Sequence, residues 1–333
     1  MQAFTGFMNK KGMIGFLLLA VLLLVSACSS APEASPSATA APTTEASAAP
    51  AADKPRVIEH AMGTTEITGT PKRVVVLTND GSDTTIALGI KPVGAVRHWV
   101  GNPDWYDFLK ADMDGVVMVG EETQPNLEEI AKLQPDLILG SKIRHEKIYE
   151  QLKAIAPTVM TETVGTTWKE NLILYAKALN LEDKEKQILG DWDKRVADFK
   201  SKMGDKLATK VSIVRFQPTE ARIYYQGFPG TIIKEVGLDR PDKQKNTDKV
   251  VQNLTLEQIP EMDGDVMFYF IASNEEKAKT TYQEWTSNEL WKNLSVVKAN
   301  KVFQVDEVFW NMSGGIQGAN HMLNDLYKFF EIQ

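Results

Sequence analysis

Polar and apolar positions along the chain form two stretches of strand-helix alternation, separated by a purely helical one. Arg56 to His60 and Thr64 to Ile67 alternate like the arms of a β-hairpin, with Gly63 at its turn. RVVVL (73–77) is a continuous apolar run, the pattern of a strand covered on both faces. It leads into TNDGSDTTIALGI, where Asp80 or Ser82 suits a helix cap and Gly89 suits the helix end. Next come the short strand PVGAV (92–96) and an apolar stretch from Val116 to Val119. A helix capped by Asn126 follows, with Glu128 and Glu129 in its first turn, where carboxylates favour the helix dipole. Pro135 precedes a strand from Asp136 to Gly140. His145 to Ile155 then reads as a helix and Pro157 to Met160 as a strand. Strand, helix and strand joined by short links make βαβ units and hence a parallel sheet.

The texture changes after residue 165. Trp168 to Leu179 predicts one helix, and Asp183 to Met203 a longer one ended by Gly204. Ile188, Trp192, Val196, Phe199 and Met203 form a single apolar stripe on the long helix. At about 1.5 Å per residue it reaches roughly 32 Å. It reads as a strut between two lobes rather than a flank of one, because the strand-helix grammar then restarts. KVSIVRF (210–216) is a strand, RIYYQG (222–227) a strand or loop edge, and Thr231 to Val236 a helix closed by Gly237. Thr255 caps a helix LEQIPEM. Asp265 to Phe270 is a strand, Thr286 to Asn293 helical, KVFQV (301–305) a strand and Gly318 to Phe330 a closing helix. The predicted organisation is an N-terminal α/β lobe over 56–165, a helical linker over 166–208 and a C-terminal α/β lobe over 209–333. One phrase recurs in both lobes: NLEEIAKLQPDLIL (126–139) and TLEQIPEMDGDVMF (255–268) place Glu128 and Glu257 in matching slots.

The segment before the folded part changes the picture. Lys10 and Lys11 precede an apolar run from Met13 to Val25, the layout of a secretory signal over 1–27. VSAC (25–28) resembles a lipobox, and Cys28 is the only cysteine. Cys28 is therefore the expected lipidation site, which places the protein at the cell membrane on the extracytoplasmic face. Residues 28–55 are rich in Ala, Pro, Ser and Thr, a composition that reads as a disordered tether. A net charge of −7 with no long basic run argues against nucleic acid as a partner.

Catalytic signals are absent from the sequence. The four histidines (60, 98, 145 and 321) are widely separated, and no Cys-His pair is available. GSDTT (81–85) is neither a nucleophile elbow nor a phosphate loop. GGIQGAN (314–320) lacks the strand-turn-helix setting of a dinucleotide loop. Neither an enzyme nor a protein metal site is expected. Binding signals are stronger. In open parallel sheets ligands sit beyond the carboxyl ends of strands. Arg97, His98 and Trp99 follow one strand, Arg144 another, Arg215 ends a third, and Arg222, Tyr225 and Trp310 lie near others. Arginine forks match anionic oxygens, and aromatic rings supply rigid walls. The set suits a large anionic ligand with organic parts. Trp310 stays open between core and cleft, and His98 between the ligand and a backbone hydrogen bond.

VSAC, TPKRVVVL, DTTIALGIKPVGA, PNLEEIAKLQPDLIL, KVSIVRF, LTLEQIPEMDGDVMFYF and KVFQVDEVFWNMSGG together resemble the siderophore-binding lipoproteins of Gram-positive iron ABC importers, over 56–333. The resemblance implies a class III periplasmic-binding-protein fold, two Rossmann-like lobes joined by a long rigid helix. It implies a monomer without a cofactor whose ligand is a ferric siderophore of hydroxamate or citrate-hydroxamate type, with iron coordinated by the siderophore. It puts Arg97, Arg144, Arg215, Tyr225 and Trp310 in or near the cleft. It implies delivery to a permease dimer with a cytoplasmic ATPase, with Glu128 and Glu257 as one docking carboxylate per lobe. Haem, a corrinoid or another large ligand, and a surface-tethered enzyme, are the alternatives.

Overall fold

The computed structural model describes residues 54–332 apart from 102, 246–247 and 274–275. The signal segment, most of the tether and Cys28 lie outside the described residues. A hairpin of β1 (Arg56–His60) and β2 (Gly63–Ile67) opens the fold, its arms paired from Arg56 opposite Ile67 to His60 opposite Gly63. The turn is made by Ala61 and Met62, so Gly63 begins the second arm rather than forming the apex.

The first sheet is built from β3 (Val74–Val76), β4 (Gly94–Arg97), β5 (Val117–Glu121), β6 (Gln124–Pro125), β7 (Leu137–Ser141) and β8 (Thr158–Thr161), in the order β6-β5-β4-β3-β7-β8. Every pair is parallel except β5 with β6. Helix α1 (Asn79–Ala87) follows β3. Its cap is Thr78, whose hydroxyl accepts from the Gly81 N–H; Asp80 and Ser82, expected at the cap, lie inside the helix. Helix α2 (Leu127–Lys132) is capped as expected by Asn126, which accepts from the N–H groups of Glu128 and Glu129. The expected helix 145–155 is divided. Helix α3 (Lys142–His145) starts earlier, at the end of β7, and a 3-10 turn separates it from α4 (Tyr149–Ile155).

Helices α5 (Trp168–Leu179) and α6 (Glu182–Met203) then cross to the second sheet. That sheet contains β9 (Val211–Phe216), β10 (Ala221–Tyr224), β11 (Val251–Leu254), β12 (Val266–Ile271) and β13 (Val302–Gln304), in the order β11-β10-β9-β12-β13. Its β9, β12 and β13 are parallel, and β10 is antiparallel to both neighbours. Helix α7 (Gly227–Glu235) begins four residues before the expected start. LEQIPEM forms a 3-10 turn, not an α-helix, with Pro260 inside it; proline cannot donate to an i→i−4 bond. The expected helix 286–293 is the end of α8 (Glu276–Ser287) and the short α9 (Glu289–Lys292), which restarts at the Asn288 cap. After α10 (Ser295–Lys298) and β13, a π-helical turn (Val308–Met312) leads to α11 (Ile316–Phe329).

One apolar core passes under both sheets. It joins Val74, Leu137 and Leu139 to Trp168 and Leu172 of α5, Trp192 and Phe199 of α6, Phe268, and Met322 and Leu326 of α11. The α6 stripe reaches in two directions. The Trp192 ring meets Trp168 edge-on at 5.3 Å, and its indole N–H donates to Glu235 of α7 at 2.8 Å. Farther along, the Arg195 guanidinium donates to Asn320 and Asn324 of α11, and the Tyr327 hydroxyl donates to its carbonyl.

A second connection is made by α11. The Asp83 carboxylate of α1 accepts from the Ser313 hydroxyl and from the Gln317 and Gly318 N–H groups, at 2.8 to 2.9 Å. An acid from the first lobe thus caps the last helix of the chain. GGIQG is glycine-rich for this contact. A Cβ on Gly315 would stand 2.5 Å from Cγ of Asp83, and one on Gly318 2.0 Å from the Ser313 hydroxyl oxygen.

Candidate functional site

The strand ends of the two sheets face a cavity of about 530 Å³. The first lobe contributes Asn79, Asp80, Trp99, Glu122 and Arg144, and the second contributes Arg215, Tyr224, Phe228, Ser273, Asn311 and Met312. Gly165 and Thr166 line it where the chain leaves the first sheet.

On the first wall, Arg144 stands in α3 just past β7. Its Nε donates to Oε1 of Glu122 at 2.8 Å; the arginine side chain is 32% exposed and the glutamate 3%. The other oxygen of Glu122 accepts from the Asn79 N–H at 2.9 Å and from its side-chain amide at 2.7 Å. The Asn79 side-chain oxygen Oδ1 in turn accepts from the Trp99 N–H and the Tyr106 hydroxyl. His145 fixes the neighbouring backbone. Its Nδ1 accepts from the Ser141 N–H, so Nε2 carries the proton given to the Glu122 carbonyl at 2.8 Å. Burial, the largest influence, holds this imidazole below its ordinary pKa.

Arg215 occupies the second wall, on β9 itself. Its Nε lies 2.6 Å from Oε1 of Glu307, with side-chain exposures of 16% and 1%. The pair is close but not aligned as a hydrogen bond, so it acts chiefly as an ion pair. The second Glu307 oxygen accepts from the Ser273 N–H at 2.7 Å. Tyr224 lines the same wall, and burial raises the pKa of its hydroxyl against the nearby Arg215 charge. Beside the arginines lies the buried Asp80. One oxygen accepts from the Asn171 amide at 2.9 Å and the other has no partner. Burial and then the Glu122 charge push this carboxyl up to about 6.

Of the residues expected at the ligand, Trp99, Arg144 and Arg215 line the cavity and the other five do not. Arg97 is the cross-strand partner of Glu121 on β5 and forms an ion pair with it at 2.5 Å, as opposite charges do across a sheet. His98 is buried under Trp105 and Tyr106, and its Nδ1 accepts from the Tyr106 N–H; burial takes its pKa down to about 3. The backbone alternative therefore holds for His98. Arg222 pairs with Glu220 at 3.2 Å. Tyr225, just past the end of β10, donates its hydroxyl to Gln252, and its neighbour Tyr224, the last residue of that strand, reaches the wall instead. Trp310 is fully buried. Its ring packs 4.7 Å from that of Phe268 and its indole N–H donates to Asp325. The π-helical turn presents Asn311 and Met312 to the cavity in its place.

Two α/β sheets bridged by a long helix, with a polar and aromatic cavity between their strand ends, define a class of bilobal substrate-binding proteins. Comparison with known sequences gives the family. The chain belongs to the periplasmic binding protein family, whose sequence profile matches residues 74–308. It is 47% identical over 333 residues to the probable siderophore-binding lipoprotein YfiY of Bacillus subtilis (strain 168), covering 97% of this chain and 99% of the relative. It is 36% identical over 264 residues to the achromobactin-binding periplasmic protein of Dickeya dadantii (strain 3937), covering 78% and 86%. The crystal structure of Staphylococcus aureus SirA complexed with staphyloferrin B superposes with a TM-score of 0.79 at 40% identity, covering 84% of this chain and 99% of that one. Among the described residues no cluster of three or more His, Cys, Asp or Glu side chains could hold a metal ion, and no helix is long and apolar enough to cross a membrane.

Proposed function

We propose that this protein captures a ferric siderophore in the cavity between its sheets and delivers it to an ABC importer. The observation that carries this reading is the facing pair Arg144 and Arg215, one per lobe, on a cavity of about 530 Å³ walled by Trp99, Tyr224 and Phe228. Arginine forks supply charge-assisted donors to anionic oxygens, and the rings supply apolar walls to an organic shell. Iron arrives already wrapped, as cargo. A relative named as a probable siderophore-binding lipoprotein supports the same ligand class. Within that class the ligand is of hydroxamate or citrate-hydroxamate type.

The remainder of the reading concerns delivery. Cys28 carries the lipid anchor, and residues 28–55 tether the binding unit at the extracytoplasmic face. Glu128 and Glu257 each dock one subunit of a permease dimer served by a cytoplasmic ATPase. Both are exposed near the start of a helical turn that precedes a lobe strand, and Glu128 pairs with Lys132 on its own helix.

The test is a fluorescence titration of the full chain, solubilised in detergent, against ferric siderophores of several chemistries with iron-free controls. Saturable quenching by at least one ferric hydroxamate or citrate-hydroxamate complex is expected. A panel in which only haem or a corrinoid binds would replace the reading with that ligand.

A further inference from the structure

The two arginines at the cavity are held by the same three-part arrangement, although they sit on unlike elements. Arg144 belongs to a short helix after a strand and Arg215 to the strand itself. In both, a glutamate that is almost fully buried contacts the arginine at Nε, the side edge of the guanidinium. In both, the second carboxylate oxygen is tied to a backbone N–H of another segment, Asn79 in one lobe and Ser273 in the other. A glutamate anchored at one oxygen is restrained, and it restrains the guanidinium beside it, through a hydrogen bond at Arg144 and a close ion pair at Arg215.

The edge that is gripped matters. A carboxylate on Nε leaves the two terminal nitrogens clear of it, and these make up the end-on fork that pairs bidentately with an anionic group. Charge matters as well. Each arginine is neutralised by its own glutamate, and Asp80 adds a further acid. The cavity therefore attracts an anion by aimed donors rather than by net positive charge. Burying two ion pairs is expensive in desolvation, and apolar residues of similar size would serve stability as well or better. The repetition of the device on two different scaffolds points to the ligand.

We propose that Glu122 and Glu307 are positioning residues, which turn the forks of Arg144 and Arg215 toward one ligand carrying free carboxylates at two separated points. This rests on the reading of the cavity as a ferric siderophore site and narrows it to complexes with uncoordinated carboxylates, the citrate-bearing kind.

The test uses the full chain in detergent with two probes, ferric citrate in excess citrate and a charge-neutral ferric trihydroxamate. Glu122→Asp and Glu307→Asp keep the charge but draw the arginine back by one methylene. Arg144→Lys keeps the charge but removes the fork. Each single variant is expected to weaken ferric citrate binding about tenfold, the scale of one charged hydrogen bond. Glu122→Asp added to Arg144→Lys is expected to weaken it no further, because the glutamate acts through the fork. Melting temperatures within a few degrees of wild type separate positioning from unfolding. If Glu122→Asp fails to fold, the same cycle is run with Glu307→Asp and Arg215→Lys. Additive losses, or unchanged affinity in the folded Glu→Asp variants, would overturn the positioning role alone. Wild-type binding of the neutral probe without ferric citrate would overturn the carboxylate class and leave the siderophore reading standing. Wild-type binding of neither probe, nor of any complex in the ferric siderophore panel, would overturn both.

Discussion

The two walls of the cavity perform one task by different means. The first is a hydrogen-bonded network: Asn79 bridges Glu122 to Trp99 and Tyr106, and His145 pins the Glu122 backbone beneath Arg144. The second is a packed wall: Arg215 lies on a central strand, Glu307 is sealed in, and Trp310 sits on Phe268 in the core behind them. Both arginines are held by an anchored glutamate, but the first glutamate sits among hydrogen-bonded polar groups and the second among buried side chains. The second wall should therefore fail through packing, and the first through loss of individual hydrogen bonds.

The largest expected effect tests this contrast with two tryptophans. Trp310→Ala removes a fully buried indole and should destabilise the protein by about 3–5 kcal/mol. Trp99→Ala removes a side chain from a residue that is 42% exposed at the cavity mouth. It should change stability by about 0.5 kcal/mol or less and weaken ligand binding instead. Denaturant unfolding of both variants measures the difference, and equal losses would erase the distinction between the walls.

A smaller effect concerns the contact between the lobes. Burial pushes the Asp83 carboxyl up to about 6, against the hydrogen bonds from Ser313, Gln317 and Gly318. Its folded pKa lies above its ordinary value, so its contribution to stability is full below about pH 4 and is lost as pH rises through 6. The histidines, held low by burial, act in the opposite sense, so the measurement is a difference. The stability of wild type minus that of Asp83→Asn should grow by about 1.4 kcal/mol between pH 7.5 and pH 5. Melting curves at the two values show it; a difference that stays flat would mean Asp83 is ionised at both.

The smallest effect in vitro belongs to the repeated phrase. Glu128→Ala with Glu257→Ala should leave ferric siderophore affinity unchanged and impair uptake in cells. Normal uptake of iron-labelled siderophore by the double variant would remove these carboxylates from docking.

Much of the scaffold was legible because local pattern and tertiary outcome agree. Apolar runs became the parallel strands, the Trp192-to-Met203 stripe became the buried face of α6, and Asn126 capped its helix. Errors gathered where local pattern does not decide. VQNL carries no apolar run, yet it pairs at the sheet edge as β11. LEQIPEM has a helix's cap and a helix's stripe, but holds a proline. At the cavity, an arginine at or just past the carboxyl end of a strand is visible in sequence, which is why Arg144 and Arg215 were expected where the structure places them. Glu122 and Glu307 could not, since a carboxylate is recognisable as a clamp only once its burial and partner are known. Trp310 and Tyr225 were misplaced for a related reason: beyond a strand end, one residue's shift decides whether an aromatic faces the cleft or the core.

The central claim is that a ferric ligand lies against both walls. Its most direct test is the dissociation constant of the tightest-binding ferric siderophore for wild type and for Arg215→Lys, which keeps a charge beside Glu307 but loses the planar fork. The account predicts about 10- to 150-fold weaker binding at unchanged melting temperature, the range for a charged hydrogen bond. An unchanged dissociation constant in a folded variant would contradict it.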